Sequence, residues 1–117
     1  MALGKRFNKV LGNSGEDIAC EYLKKNHYKI IERNYKHKIG EIDIIAKDGD
    51  VLVFVEVKFK TTDYFGLPRE MVTPYKQQKI RSVAIGYIKH HKLFNTPCRF
   101  DVVEILNGEL THIKDCF

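Results

Sequence analysis

The stretch Gly40–Lys60, GEIDIIAKDGDVLVFVEVKFK, constrains the fold more than any other part of the chain. In its second half Val53, Val55, Val57 and Phe59 alternate with Phe54, Glu56, Lys58 and Lys60. Strict alternation marks a strand with two different faces. Upstream, Ile39 to Ala46 reads as another strand, and the Asp-Gly of KDGD between them is a strong hairpin signal. If the loop is Asp48-Gly49, Asp43 faces Phe54 and Glu41 faces Glu56. If it is Gly49-Asp50, Asp43 faces Glu56 and Glu41 faces Lys58. Either even-length loop puts Glu41, Asp43, Glu56 and Lys58 on one face, and an odd-length loop reverses this unless a bulge restores it.

The rest of the chain surrounds this hairpin with ordinary elements. NSGEDIACEYLKKN starts a helix, with Asn13 or Ser14 as cap and an acid three residues after each. Ile18, Ala19, Tyr22 and Leu23 form its apolar stripe. Glu16 falls on the flank of that stripe, facing inward, while Asp17 points nearly the opposite way. A strand follows over residues 28–34. TTDYFGLPRE is a long polar loop of the kind that often carries function. Thr73-Pro74 opens a second helix, with Ile80, Val83, Ala84, Tyr87 and Ile88 as its core face. Residues 99–106 make another strand, and Asn107-Gly108 turns it into a short last one. The predicted order is α-β-β-β-α-β-β, an α+β arrangement with helices packed on a mixed central sheet.

A chain of 117 residues is expected to form one domain over 1–117, with 1–12 a flexible basic N-terminus. No apolar run approaches the roughly 20 residues that span a bilayer. The basic start lacks the apolar stretch of a signal peptide, so a cytoplasmic location without membrane contact is the default expectation. Three scattered cysteines and no CxxC argue against a disulfide framework or a zinc site, and for buried, reduced thiols. The net charge of +5 permits a polyanionic partner. Basic residues cluster at Lys5/Arg6/Lys9, Arg33/Lys36/His37/Lys38, Lys76/Lys79/Arg81 and Lys89–Lys92.

Taken singly, the acids have bland readings. Glu56-x-Lys58 alone is a solvated pair, Asp43 a strand-edge acid, and Glu16 a helix-start acid favoured by the macrodipole. Together they read differently, because facing like charges on a sheet are destabilising and because Phe54 and Ile45 share their face, which the helix carrying Glu16 is expected to cover in part. Clustered carboxylates suit a hard divalent cation such as Mg²⁺ or Mn²⁺. A neighbouring Lys58 ammonium would orient or deprotonate a water, or stabilise charge developing on a phosphate.

The segments GNSGEDIACEYL, RNYKHKIGEIDIIAKDGDVLVFVEVKFK, FGLPREMVTPYKQQKI and RFDVVEI together resemble the bacterial YraN family, over nearly the whole chain from Gly12 to Ile105. That family is similar to the PD-(D/E)XK, restriction-endonuclease-like superfamily and to archaeal Holliday junction resolvases. The resemblance implies an αβββαβ core and a metal-dependent endonuclease acting on branched or structured DNA. It places the motif acid on Asp43, the (D/E)-x-K pair on Glu56 and Lys58, and the helix acid on Glu16. Asp43, Glu56 and the Val57 backbone carbonyl would hold the metal, with Glu16 completing the site. The superfamily's usual Pro-Asp is Ile42-Asp43 here, and Lys60 stands where relatives often carry Arg. Lys36, Lys38, Lys60, Arg69, Lys76 and Lys79 are the expected nucleic-acid contacts. Glu41, Tyr64 (or Phe65, as stacking aromatics) and Gln77 or Gln78 are expected accessories. A homodimer is expected by analogy with resolvases, and no small-molecule cofactor. The competing readings are a binding module without turnover, serving recombination or repair beside a protein partner, and a scaffold whose acids form surface ion pairs.

Overall fold

The computed structural model describes residues 14–60 and 72–117. Helix α1 (Ser14–Lys25) leads into three antiparallel strands, β1 (Lys29–His37), β2 (Gly40–Asp48) and β3 (Val51–Lys60). Helix α2 (Pro74–His90) then crosses to β4 (Cys98–Leu106), which turns back as β5 (Glu109–Ile113). The five strands lie in sequence order in one sheet, antiparallel except where β4 runs parallel to β3. A parallel neighbour needs a long crossover, and α2 supplies it. The expected α+β fold and element order are those observed. Residues 1–13 and 61–71 lie outside the described residues, and with them Asn13, Tyr64, Phe65 and Arg69. No described helix is long and apolar enough to cross a membrane.

Local chemistry explains the boundaries. Thr73 caps α2, its Oγ1 accepting the Lys76 N–H at 3.2 Å, and Pro74 takes the first turn, where no donor is needed. The loop of the β2–β3 hairpin is Gly49-Asp50, with Asp48 opposite Val51. Gly49 adopts φ +61°, the glycine position of a type II′ turn. Asn107 and Gly108 both adopt positive φ, as the β4–β5 turn requires.

A core lies on each face of the sheet. On one, Ala19, Cys20 and Leu23 of α1 pack on Ile44, Ala46, Val53 and Val55. On the other, Ile80, Val83, Ala84 and Tyr87 of α2 pack on Ile45, Phe54 and Val102. Phe54 alone, fully buried, contributes about 1.5–3 kcal/mol. Two expectations fail at this level. Ile18 is 37% exposed rather than part of the α1 stripe, because the α1 core is centred on Ala19, Cys20 and Leu23. Of the three cysteines only Cys20 is buried; Cys98 is exposed at the start of its strand and Cys116 is half-buried.

Alternation is interrupted twice: the β1–β2 register shifts between Ile30 and Glu32, and both strands change phase further along. Arg33 pairs with Ile44 and Tyr35 with Ile42, yet Arg33 joins α1 through an ion pair with Asp17 while Tyr35 joins the α2 core. Ile44 belongs to the α1 core and Ile42 to the α2 core. Both strands therefore change phase on the rung between these pairs, which holds Asn34 and Asp43. Asn34 is left-handed there, with φ +53°. Asparagine tolerates that conformation better than most residues, and a local kink of this kind re-aims a side chain.

Candidate functional site

The kink turns Asp43 into the gap between β2 and β3. Backbone pairing of the two strands runs from Asp48–Val51 to Ile44–Val55. Just beyond, Asp43 Oδ2 accepts the Val57 N–H at 2.8 Å. A carboxylate thus takes the place of a ladder carbonyl. From β3, Glu56 and Lys58 enter the same region on the α2 side. Glu56 is only 5% exposed, and its Oε2 lies 2.6 Å from Lys76 Nζ and 3.6 Å from Lys58 Nζ.

Asp43 and Glu56 are in hydrogen-bonding contact, and their electrostatics diverge. Burial first, then the hydrogen bond and charge of Glu56, push the Asp43 carboxyl up to about 8; the Val57 N–H opposes the shift and the Glu16 charge adds a little. Burial also works against ionised Glu56, but the contacts with Asp43 and Lys76 and the charge of Lys58 hold it below the usual carboxylate range. One proton is therefore shared by two acids, with Asp43 as its main holder. Burial lowers the Lys58 ammonium; Glu56 opposes this and the Lys76 charge adds to it. Lys76, although penalised by burial, is raised by Glu56.

Glu16 approaches from the other side of the sheet. The expectation that its helix covers the Phe54/Glu56 face is corrected: α1 packs on the Val53/Val55 face, and α2 covers Phe54. The N-terminus of α1 sits tightly on the end of β3, where a Cβ on Gly15 would come within 2.6 Å of Phe59 Cβ. Glycine is required for that approach. Glu16 Oε1 is buried without a hydrogen bond, 3.8 Å from Arg33 Nη2, which pairs at 2.8 Å with Asp17. Glu16 and Asp17 share that guanidinium rather than pointing apart.

A model of the uncharacterised protein family UPF0102 matches residues 15–105, which span every residue of this cluster. The chain belongs to the UPF0102 family. A UPF0102 protein of Geotalea daltonii is 48% identical over 119 residues, covering 97% of this chain and 94% of the relative. One from Caldicellulosiruptor saccharolyticus is 50% identical over 105 residues, covering 90% and 89%. One from Clostridium botulinum strain Alaska E43 is 44% identical over 119 residues, covering 97% and 98%.

In this UPF0102 chain the remaining expected residues divide. Glu41 is exposed on β2 opposite Lys36, away from the acid pair. Gln77 Nε2 donates to the Val72 carbonyl at 2.8 Å and so braces the start of α2. Gln78 is exposed. Lys36, Lys38 and Lys79 are exposed and border one shallow recess, whereas Lys76, expected as a nucleic-acid contact, is tied to Glu56. The Lys60 side chain lies outside the described residues. One acid was missed. Glu104 on β4 stands beside Lys58 in the parallel register, is 5% exposed, and its Oε2 has no hydrogen bond. Phe100 and Val102 precede it on the α2 face at the strand's two-residue period, so an acid in a core row was the available signal.

The donor chemistry fits a hard cation. One buried and one half-buried carboxylate that hold a proton between them can exchange it for a divalent ion, and Glu16 Oε1 is a further buried oxygen without a hydrogen bond among the described residues. Among the described residues no ready group of three ligands is assembled. Lys76 Nζ would have to leave Glu56 Oε2 for a metal to be bound there.

Proposed function

We propose that this UPF0102 protein is a metal-dependent phosphodiesterase of the PD-(D/E)XK kind, cutting nucleic acid and in particular branched or structured DNA. One observation carries the reading: Asp43, held on the Val57 N–H at 2.8 Å, stands beside Glu56, whose Oε2 lies 3.6 Å from Lys58 Nζ, an arrangement that raises the Asp43 carboxyl and lowers the Lys58 ammonium. A raised carboxyl against a lowered one, next to a half-buried amine, is what hydrolytic chemistry needs and what stability alone does not. Asp43, Glu56 and the Val57 carbonyl, with Glu16, would hold Mg²⁺ or Mn²⁺. When bound, the ion supplies Lewis acidity and a lowered pKa for water. Lys58 would then orient the water or meet the charge developing on the phosphate, while Glu56 keeps Lys58 in place.

The test is a cleavage screen over flapped, branched and linear DNA and the RNA counterparts, with Mg²⁺ or Mn²⁺. Glu56→Ala and Lys58→Ala are each expected to lower cleavage by at least ~10²-fold. Variants that cut as well as the parent sink the reading. A second reading has one observation behind it. The 2.6 Å contact of Lys76 with Glu56 neutralises a would-be ligand, as suits a binding module without turnover. Salt-sensitive DNA binding without cleavage, in the parent and in Lys76→Ala alike, would establish it.

A further inference from the structure

The flank of α2 beside the acid pair carries a groove that the hydrolytic chemistry does not use. Tyr75, Gln78, Lys79 and Ser82 recur on one helix face, and with Ile39 of the β1–β2 turn they line a cavity of about 290 Å³. The turn is seated on the helix: a Cβ on Gly40 would meet Val83 at 3.6 Å and Lys79 Cβ at 3.9 Å. Ile39 and Lys79 also line a second recess, of about 390 Å³, with Lys36, Lys38 and Glu41. The two recesses adjoin at Ile39 and Lys79, which line both, and together make a trough. Its far end reaches Gly40, three residues from Asp43, about 10 Å along an extended strand. At its near end Tyr75 precedes Lys76, which touches Glu56.

The chemistry of the trough selects its occupant. Tyr75 is 69% exposed, and the one contact of its ring described is Lys79 Nζ, 4.6 Å from the centroid. A large aromatic so placed adds little to the core. Three lysines, Lys36, Lys38 and Lys79, rim the trough against one acid, Glu41, so the complementary partner is a polyanion that also presents flat apolar faces. Nucleic acid has both features, and inside a duplex its base faces are already stacked on each other. An exposed ring can take a base only from an unpaired stretch.

We infer that this trough binds an unpaired nucleic-acid strand next to the bond to be cut, with a base stacked on Tyr75 and phosphates on Lys79 and the Lys36–Lys38 turn. The inference rests on the nucleic-acid reading above and gives that site its substrate class: single-stranded ends, flaps or gaps rather than intact duplex.

Binding without cleavage separates the two ideas. Short fluorescein-labelled oligo-dT, oligo-rU and mixed-sequence duplex DNA would be titrated in EDTA against the full chain, followed by anisotropy. Tyr75→Ala should weaken single-strand binding about tenfold or more, the scale of one lost base–aromatic stack, and change duplex binding far less. Tyr75→Phe should stay within about twofold. Lys79→Ala should flatten the salt dependence by about one ion. The ratio of the dT and rU affinities assigns the strand to DNA or RNA. Wild-type affinity in Tyr75→Ala, an equal loss on duplex, or no binding by the parent overturns the inference. Tyr75-dependent binding in a protein that never cuts leaves the inference standing and removes the hydrolytic reading. Cleavage that is indifferent to Tyr75 does the reverse.

Discussion

Asp43 and Asp101 flank β3 on its two neighbouring strands, yet their chemistry points in opposite directions. Asp101 is the deeper, 0% exposed. It accepts from Arg99 Nε at 3.0 Å, Arg99 Nη2 at 3.3 Å, His112 Nε2 at 2.8 Å and the Asp115 N–H at 3.0 Å. Burial disfavours its charge, but those donors hold its carboxyl below the usual range. Asp43 is half-buried, accepts one backbone N–H, and faces another carboxylate. Depth does not decide ionisation; the count of donors against acceptors does. Around Asp101 the polar groups are satisfied and tie elements together. Arg99 also donates to Asp48 and to the Tyr28 hydroxyl, and His112 Nδ1 meets the Tyr22 hydroxyl at 3.0 Å. Around Asp43 the polar groups are left in conflict, and that residual demand is what a ligand can meet.

The largest test of this contrast is Asp101→Ala. It strands a mostly buried guanidinium and removes the acceptor for His112, so urea denaturation should show a loss of about 3–5 kcal/mol near neutral pH. The sign with pH follows from the lowered carboxyl. The native contribution is present above the ordinary value of 3.8 and is lost as pH falls through the lower folded value. The gap between parent and variant should therefore close in acid. A gap that stays constant down to strongly acidic pH would mean that Asp101 acts by packing rather than by charge.

Asp43→Asn should move the other way. In chelator, the raised Asp43 carboxyl stabilises the folded state below 3.8, and that contribution fades as pH climbs through about 8. Asparagine keeps the acceptor for the Val57 N–H and removes the conflict with Glu56. The variant should then be the more stable protein at pH 9, by ~1.4 kcal/mol for each unit of displacement retained, with little difference at pH 4. Melting curves in EDTA across that range measure it. If Asp43→Asn loses stability as Asp101→Ala does, the two carboxylates are both anchors and the contrast collapses.

Part of this contrast was legible in the sequence. Alternation through Val53–Lys60 and an even-length loop within KDGD were enough to put Asp43 on one face with Glu56 and Lys58, because a hairpin fixes parity locally; which of the two loops forms, Gly49-Asp50, came from the structure. Parity says nothing about which helix lies over which face. Glu16 was consequently placed over Glu56, although α1 packs on the other side and reaches Asp43 only through the strand gap. The phase change at Asn34 and Asp43 was also hidden, since a left-handed asparagine inside a strand is selected by its tertiary surroundings; the residue type was its only trace. Asp101 carried no mark in the sequence, because most of its order comes from distant partners. Asn107-Gly108 announced the return of β5, but the contact of His112 with Asp101 and the parallel register of β4 with β3 are tertiary facts that no window of sequence contains.

Glu104 falls between the two aspartates and gives the smallest effect. It has neither the donors of Asp101 nor the acidic neighbour of Asp43, and burial alone pushes its carboxyl up. Its parallel-strand neighbour is Lys58. A raised carboxyl stabilises the fold below its ordinary value of 4.5 and loses that contribution as pH rises through the folded value. Glu104→Gln should therefore match the parent near pH 4 and gain up to ~1 kcal/mol at pH 8 in metal-free melts. A loss at pH 8 instead would mean that Glu104 is ionised and engaged, with Lys58 as the cation within reach on the adjoining strand. The amine would then be held by acids on two sides, Glu56 along its own strand and Glu104 across the parallel pair. The demand left open around Asp43 would be smaller than its single backbone donor suggests.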